Sequence, residues 1–101
     1  MNRLEARYAQ HLDLQLKAHL IASWAYEAVR LKLAPLTTYT PDFWVAMNDG
    51  RVQLHEVKGK FFRDDAKVKL KVAASNYPMF DFKLVHQNMD GSWDLVEIRK
   101  E

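Results

Sequence analysis

Residues 38–58 read TYTPDFWVAMNDGRVQLHEVK, two strand-like runs around a turn. Residues 38–47 and 51–58 read as strands, and Asn48-Asp49-Gly50 between them is a hairpin signal, with Gly50 suited to the left-handed position of a three-residue loop. With that loop Met47 faces Arg51, and the pairs follow outward until Asp42 stands opposite Glu56. Directly opposite residues on one face have Cβ atoms about 4.5–5.5 Å apart, and like charges there repel. Lys58, two residues beyond Glu56, projects from the same face, which Trp44, Ala46, Val52 and Leu54 otherwise make apolar. A two-residue Asp49-Gly50 turn would instead set Asp42 opposite Val57.

Two carboxylates held together beside apolar surface must share a proton or hold a cation. A hard divalent ion such as Mg²⁺ suits clustered carboxylate and carbonyl oxygens. A neighbouring lysine can orient or deprotonate a water, or stabilise a phosphate as charge builds on it. Glu5 adds a third carboxylate, at the centre of the apolar stripe of a helix expected over residues 2–19. It has two readings: a helix-end carboxylate complementing the dipole, or a group facing Asp42 and Glu56 that completes a metal shell.

That helix carries Leu4, Tyr8, Leu12, Leu16 and His19 on one face. A strand follows, with Val29, Leu31 and Leu33 alternating with Arg30 and Lys32 until Pro35. Glu27 interrupts it and reads as a structural residue near the site. A second helix is expected over 64–76, capped by Asp64 or Asp65 and stopped by Pro78, with Ala66, Leu70, Ala73 and Tyr77 as its buried stripe. Strands near 79–86 and 92–98, turning at Asp90-Gly91, complete the order α-β-β-β-α-β-β. Both faces of the strands carry apolar residues, so the expected fold is mixed α/β, a sheet covered on both sides.

The chain has 101 residues, a length for one domain (1–101), with 49% hydrophobic and 28% charged residues. Cysteine is absent, which excludes a disulfide framework, thiolate zinc sites and cysteine catalysis. The N-terminal MNRLEARYAQ lacks a signal-peptide apolar core and no run approaches a membrane span, so a cytoplasmic location without membrane contact is expected. Net charge is +2, which permits a polyanionic partner without requiring one. The cations concentrate: six Lys and Arg stand between Lys58 and Lys71 against Asp64 and Asp65.

Pro41-Asp42, a spacer and Glu56-Val57-Lys58 resemble the PD-(D/E)XK nuclease motif. The stretch YTPDFWV…VQLHEVKGKF…DDAKVKLKVAASNYP is similar to a family of small phage-encoded, Holliday-junction-resolvase-like proteins of that superfamily. The likeness covers nearly the whole chain. It implies a restriction-endonuclease-like αβββαβ core, a mixed central sheet flanked by helices, here with an extra C-terminal strand. It also implies Mg²⁺- or Mn²⁺-dependent hydrolysis of DNA phosphodiesters, on branched or nicked DNA, in the host cytoplasm. Carried over by position, Asp42 and Glu56 are metal ligands, the Val57 carbonyl a third, Lys58 the catalytic lysine and Glu5 the helix carboxylate. The chain lacks the added DNA-recognition domain of larger members, which leaves substrate choice open.

Lys60, Arg63, Lys67 and Lys71 read as contacts to DNA phosphates, with Lys67 or Lys71 nearer the scissile one. Phe61-Phe62, in the connection between strand and helix, reads first as a core plug. His11, His19, His55 and His86 lack zinc-like spacing, and His55 points away from Glu56; Trp24, Trp44 and Trp93 read as core residues in strands. A homodimer is expected, since cutting two symmetry-related strands needs two sites. The alternative to a nuclease is a nucleic-acid binding module that keeps the fold without turnover.

Overall fold

The computed structural model describes residues 1–59 and 64–99, the side chains of 64–66 excepted. Helix α1 (Arg3–Lys17) is followed by β1 (Ser23–Tyr26), β2 (Leu31–Ala34), β3 (Thr37–Tyr39), β4 (Phe43–Ala46) and β5 (Val52–Val57). Helix α2 (Asp64–Asn76), β6 (Phe80–Gln87) and β7 (Trp93–Glu97) complete the order. Five strands form a mixed sheet in the order β1-β4-β5-β6-β7, and β2 and β3 pair separately. Only β5 and β6 run parallel within the five-stranded sheet. They are joined through α2, as a parallel pair requires a crossover.

The β4–β5 hairpin has the three-residue loop. Met47 N–H donates to the Arg51 carbonyl at 2.8 Å, and Gly50 takes φ 89° with its N–H on the Met47 carbonyl. Phe43 pairs with His55, Trp44 with Leu54, Val45 with Gln53 and Ala46 with Val52, the register expected from the loop.

Alternation along these strands divides the core in two. Leu54, Phe82 and Leu84 pack with Leu70, Ala73 and Ala74 of α2 and with Leu31 and Tyr39. Phe43, Val45, Val57 and Val85 pack on the other face with Tyr8 and Leu12 of α1 and with Ile21. Tyr8 and Leu12 are fully buried, a loss of apolar surface to water worth about 2–3 kcal/mol for such a side chain. The sheet is thus covered on both faces, the arrangement the two-sided apolar pattern implies.

Three expectations change. First, α1 ends at Lys17, so His19 leaves the buried stripe. His19 has φ 60°, its N–H bonds the Leu16 carbonyl, and Leu20 N–H reaches back to Gln15. This is a complete Schellman cap with histidine where glycine is usual. Leu16, on the last turn, is 36% exposed.

Second, residues 23–34 are two strands. Glu27 takes φ 47° and ends β1. Third, residues 38–47 do not form one strand. β3 belongs to the small sheet and β4 to the large one, with the chain bending at Asp42. Pro41 has no N–H for a ladder and restricts the residue before it. The small sheet is fastened to the end of α2. The Tyr77 hydroxyl donates to the Lys32 carbonyl at 2.8 Å and accepts the Lys32 N–H at 3.1 Å, while Asn76 donates to the Leu33 carbonyl.

The second helix spans the expected residues and buries Leu70 and Ala73, with Tyr77 half-buried just past its end. The caps assigned to Asp64 or Asp65 and the burial of Ala66 lie outside the described residues. Trp24, Trp44 and Trp93 are half-buried in strands and pack against the two cores. Among the described residues, no helix is long and apolar enough to cross a membrane.

Candidate functional site

Asp42 lies one residue before β4, Glu56 is the penultimate residue of β5, and Lys58 follows that strand. Continuing the register brings Asp42 opposite Glu56. Because Met47 and Arg51 are a hydrogen-bonded pair and such pairs alternate, Asp42 and Glu56 fall at a narrow, non-hydrogen-bonded position, where side chains stand closest. The ladder ends there in an unusual way. Pro41, opposite Val57, has no N–H to give to the Val57 carbonyl. Val57 N–H is instead taken by Asp42 Oδ2 at 2.8 Å. N–H and C=O of one strand residue share an edge, so the Val57 carbonyl is directed to the same side as the Asp42 carboxyl.

Glu56 is 9% exposed. Its Oε1 accepts from the Tyr39 hydroxyl at 2.9 Å, and its Oε2 lies 3.3 Å from Lys58 Nζ. A buried carboxylate needs such partners to remain ionised. Lys58 is half-buried, its side chain 37% exposed, so the ammonium has one side on Glu56 and another toward solvent.

Glu5 is also 9% exposed and meets the site from α1. The helix-end reading of this residue is realised. It is the third helical residue of a reciprocal capping box: Asn2 Oδ1 accepts Glu5 N–H at 2.8 Å, and Glu5 Oε1 accepts Asn2 N–H at 2.8 Å. The Tyr26 hydroxyl approaches the same Oε1 at 3.4 Å. The Glu5 side chain also hydrogen-bonds that of Asp42. The spacing Asn2-x-x-Glu5 is the sequence signal for this cap.

Asp42 therefore sits between two acids. Burial, then the charge of Glu56, then its bond to Glu5 push its carboxyl up to about 8, against the opposing donation from Val57 N–H. This crowding favours the protonated form of Asp42 near neutral pH. The Tyr39 hydroxyl is pushed up by burial and by Glu56, and Tyr26 by burial and by Glu27 and Glu5, so both are donors at any physiological pH. Glu27 is exposed at the margin, its N–H on the Asp42 carbonyl at 2.8 Å and its carboxylate on Tyr26.

The donor set suits a hard cation: two carboxyls, Asp42 and Glu56, with the Val57 carbonyl beside them and Glu5 behind Asp42. A divalent ion would relieve the repulsion that protonation of Asp42 also relieves. Among the described residues, no three His, Cys, Asp or Glu side chains stand together as a ready-made ligand group. One oxygen of Glu5 is held by its cap, one of Asp42 by Val57 N–H and one of Glu56 by Tyr39.

Lys67 and Lys71 are exposed on α2. Lys69, also on α2, has its Nζ 5.8 Å from the centre of the Tyr39 ring. Lys60, Arg63 and Phe61-Phe62 lie outside the described residues. His55 faces away from Glu56 as expected and is buried, with Nδ1 2.7 Å from the Tyr8 hydroxyl and Nε2 2.9 Å from Gln53 Oε1.

Tyr39 is the member of the site that strand alternation misplaces. In one continuous strand it would share a face with Phe43 and Val45. The break at Pro41 and Asp42 resets the alternation, and β3 delivers its hydroxyl to Glu56 on the α2 side. Comparison with protein-family models, curated proteins and solved structures finds no match to this chain.

Proposed function

We propose that this chain is a Mg²⁺- or Mn²⁺-dependent endodeoxyribonuclease of the PD-(D/E)XK type, acting on branched or nicked DNA. One observation carries the reading: the hairpin register sets Asp42 opposite buried Glu56 at one strand end, with Lys58 Nζ 3.3 Å from Glu56 Oε2. The element order supports it. With the β2–β3 hairpin taken as an insertion and β7 as an addition, the remaining elements follow the αβββαβ order of that core.

Asp42, Glu56 and the Val57 carbonyl would hold the metal, with Glu5 acting on Asp42 or reaching the ion itself. A bound divalent ion supplies a Lewis acid for the phosphate and lowers the pKa of an attacking water. Tyr39 fixes the Glu56 carboxylate through Oε1 and leaves Oε2 to Lys58 and the reaction centre. The Lys58 ammonium can then donate to a non-bridging phosphate oxygen as charge builds there, or orient the water. Lys60, Arg63, Lys67 and Lys71 are proposed contacts to backbone phosphates, and a homodimer would present two such sites to paired strands.

The second reading, nucleic-acid binding without turnover, is favoured by carboxylate oxygens already engaged by protein donors: Glu5 Oε1 by Asn2 N–H, Asp42 Oδ2 by Val57 N–H and Glu56 Oε1 by the Tyr39 hydroxyl. Labelled four-way junction, nicked, linear and single-stranded DNA incubated with Mn²⁺, Mg²⁺ or EDTA separates the two. Cleavage that needs metal and is lost in Glu56→Ala and Lys58→Ala supports the nuclease. Salt-sensitive binding with no cleavage under any metal supports the binding module.

A further inference from the structure

Beside the carboxylates a second feature opens at the carboxyl ends of the parallel strands β5 and β6, where ligands commonly bind in open mixed sheets. It is a pocket of about 380 Å³ lined by Leu4 and Arg7 of α1, Lys58, Gly59, and His86 to Met89. Arginine, lysine and histidine meet here with two amides, and among the described residues no acidic side chain lines the pocket. Arg7 is oriented rather than loose. Its Nε donates to Gln87 Oε1 at 3.1 Å, and Gln87 Nε2 is anchored on the Gly91 carbonyl of the β6–β7 turn at 3.2 Å. Among the described residues that leaves the terminal nitrogens of the guanidinium, the fork that grips phosphate oxygens in pairs. Leu4 and the fully exposed Met89 add apolar surface of the kind a sugar or base covers.

We propose that this pocket holds a backbone phosphate of the substrate strand adjacent to the scissile one, with Arg7 as its principal contact. Its occupant rests on the nuclease reading, since Lys58 borders both sites and would lie between the two phosphates. Gln87 is a positioning residue that acts through Arg7.

The test measures binding of a fluorescein-labelled nicked duplex by the full chain in EDTA, over a range of salt concentrations. Arg7→Gln is expected to weaken binding about tenfold and to lower the slope of log K against log salt by about one, the loss of one phosphate contact. Gln87→Ala, which keeps the charge, is expected to weaken binding a few-fold with the slope unchanged. Arg3→Gln, which removes a charge from α1 outside the pocket, is expected to change neither. Equal losses in Arg3→Gln and Arg7→Gln, or an unchanged slope in Arg7→Gln, would overturn the proposal.

Amide resonances of residues 86–88 are expected to shift with a short thymidine oligonucleotide more strongly than with inorganic phosphate. Shifts produced equally by phosphate alone would assign the pocket to a free anion and overturn the strand contact. Cleavage that depends on Glu56 beside an unchanged Arg7→Gln slope removes this pocket and keeps the nuclease. A lowered slope without cleavage in any metal keeps the pocket and removes the nuclease.

Discussion

Asp42→Asn is expected to make the protein more stable at alkaline pH while removing any metal-dependent activity. Asp42 has its folded-state pKa raised from 3.8 to about 8 by burial, Glu56 and Glu5. Between those values the unfolded chain has released the proton and the folded chain still binds it. Stability therefore falls as pH rises from about 4 to 8, since the folded state binds more protons throughout that window. A shift of this size converts to about 6 kcal/mol at most; access of water and salt to the partly exposed carboxyl reduces this to about 2–3 kcal/mol. Asparagine keeps an oxygen for Val57 N–H and offers its amide to Glu5, so the loss of charge is the main change. Urea unfolding at pH 5 to 9, at constant ionic strength in EDTA, gives both profiles, and their difference reports Asp42 together with the Glu56 and Glu5 carboxyls that interact with it. The expected difference is small at pH 5 and grows to about 2 kcal/mol in favour of Asp42→Asn by pH 8. Parallel profiles, or a variant less stable at pH 8, would refute the view that charge crowding dominates this site. Millimolar Mn²⁺ at pH 8 should raise the stability of the wild type and not of the variant, because an ion bound only by the folded state adds to stability.

Tyr39→Phe removes the hydroxyl that donates to buried Glu56 and should cost about 2 kcal/mol in urea unfolding at pH 7, the usual loss for a bond to a charged group; an effect under half a kilocalorie would mean that water replaces the hydroxyl there. His55 is buried neutral, with its pKa lowered to about 3 by burial and by Lys83 and His11. Its unfolded form gains a proton below about pH 6.5, so stability should fall as pH drops from 6.5 toward 3, and His55→Leu should flatten that limb of the profile. His19→Gly, at φ 60° in the α1 cap, should raise stability by about 0.5–1 kcal/mol, the left-handed penalty less the added chain entropy of glycine. Leu36→Gly, at φ 60° in a turn where the leucine is fully exposed, should do the same, and a lower thermal midpoint in either variant would count against the assignment of strain.

Much of the site was legible because hairpin register is a local property. Asn48-Asp49-Gly50 sets the loop, and pairing then proceeds residue by residue until Asp42 meets Glu56; alternation alone puts Lys58 beside Glu56 and His55 on the opposite face. The burial of Glu5 followed from the 3.6-residue period of α1. Its partners did not, because a helical wheel gives an angle and no distance to the sheet.

Tyr39 and Arg7 mark the boundary of what pattern can reach. Tyr39 reaches Glu56 because the chain leaves one sheet and enters another at Pro41 and Asp42, and because Tyr77 and Asn76 fasten the small sheet to α2. Arg7 lies on the polar face of its helix and acquires a role only through Gln87, eighty residues away in sequence. The two apolar faces, the hairpin and, given its three-residue loop, the meeting of Asp42 with Glu56 can be read along the chain, since each depends on neighbours in one strand pair or one helix. Which distant side chains close around those carboxyls depends on how separate elements pack, a relation that no local period encodes.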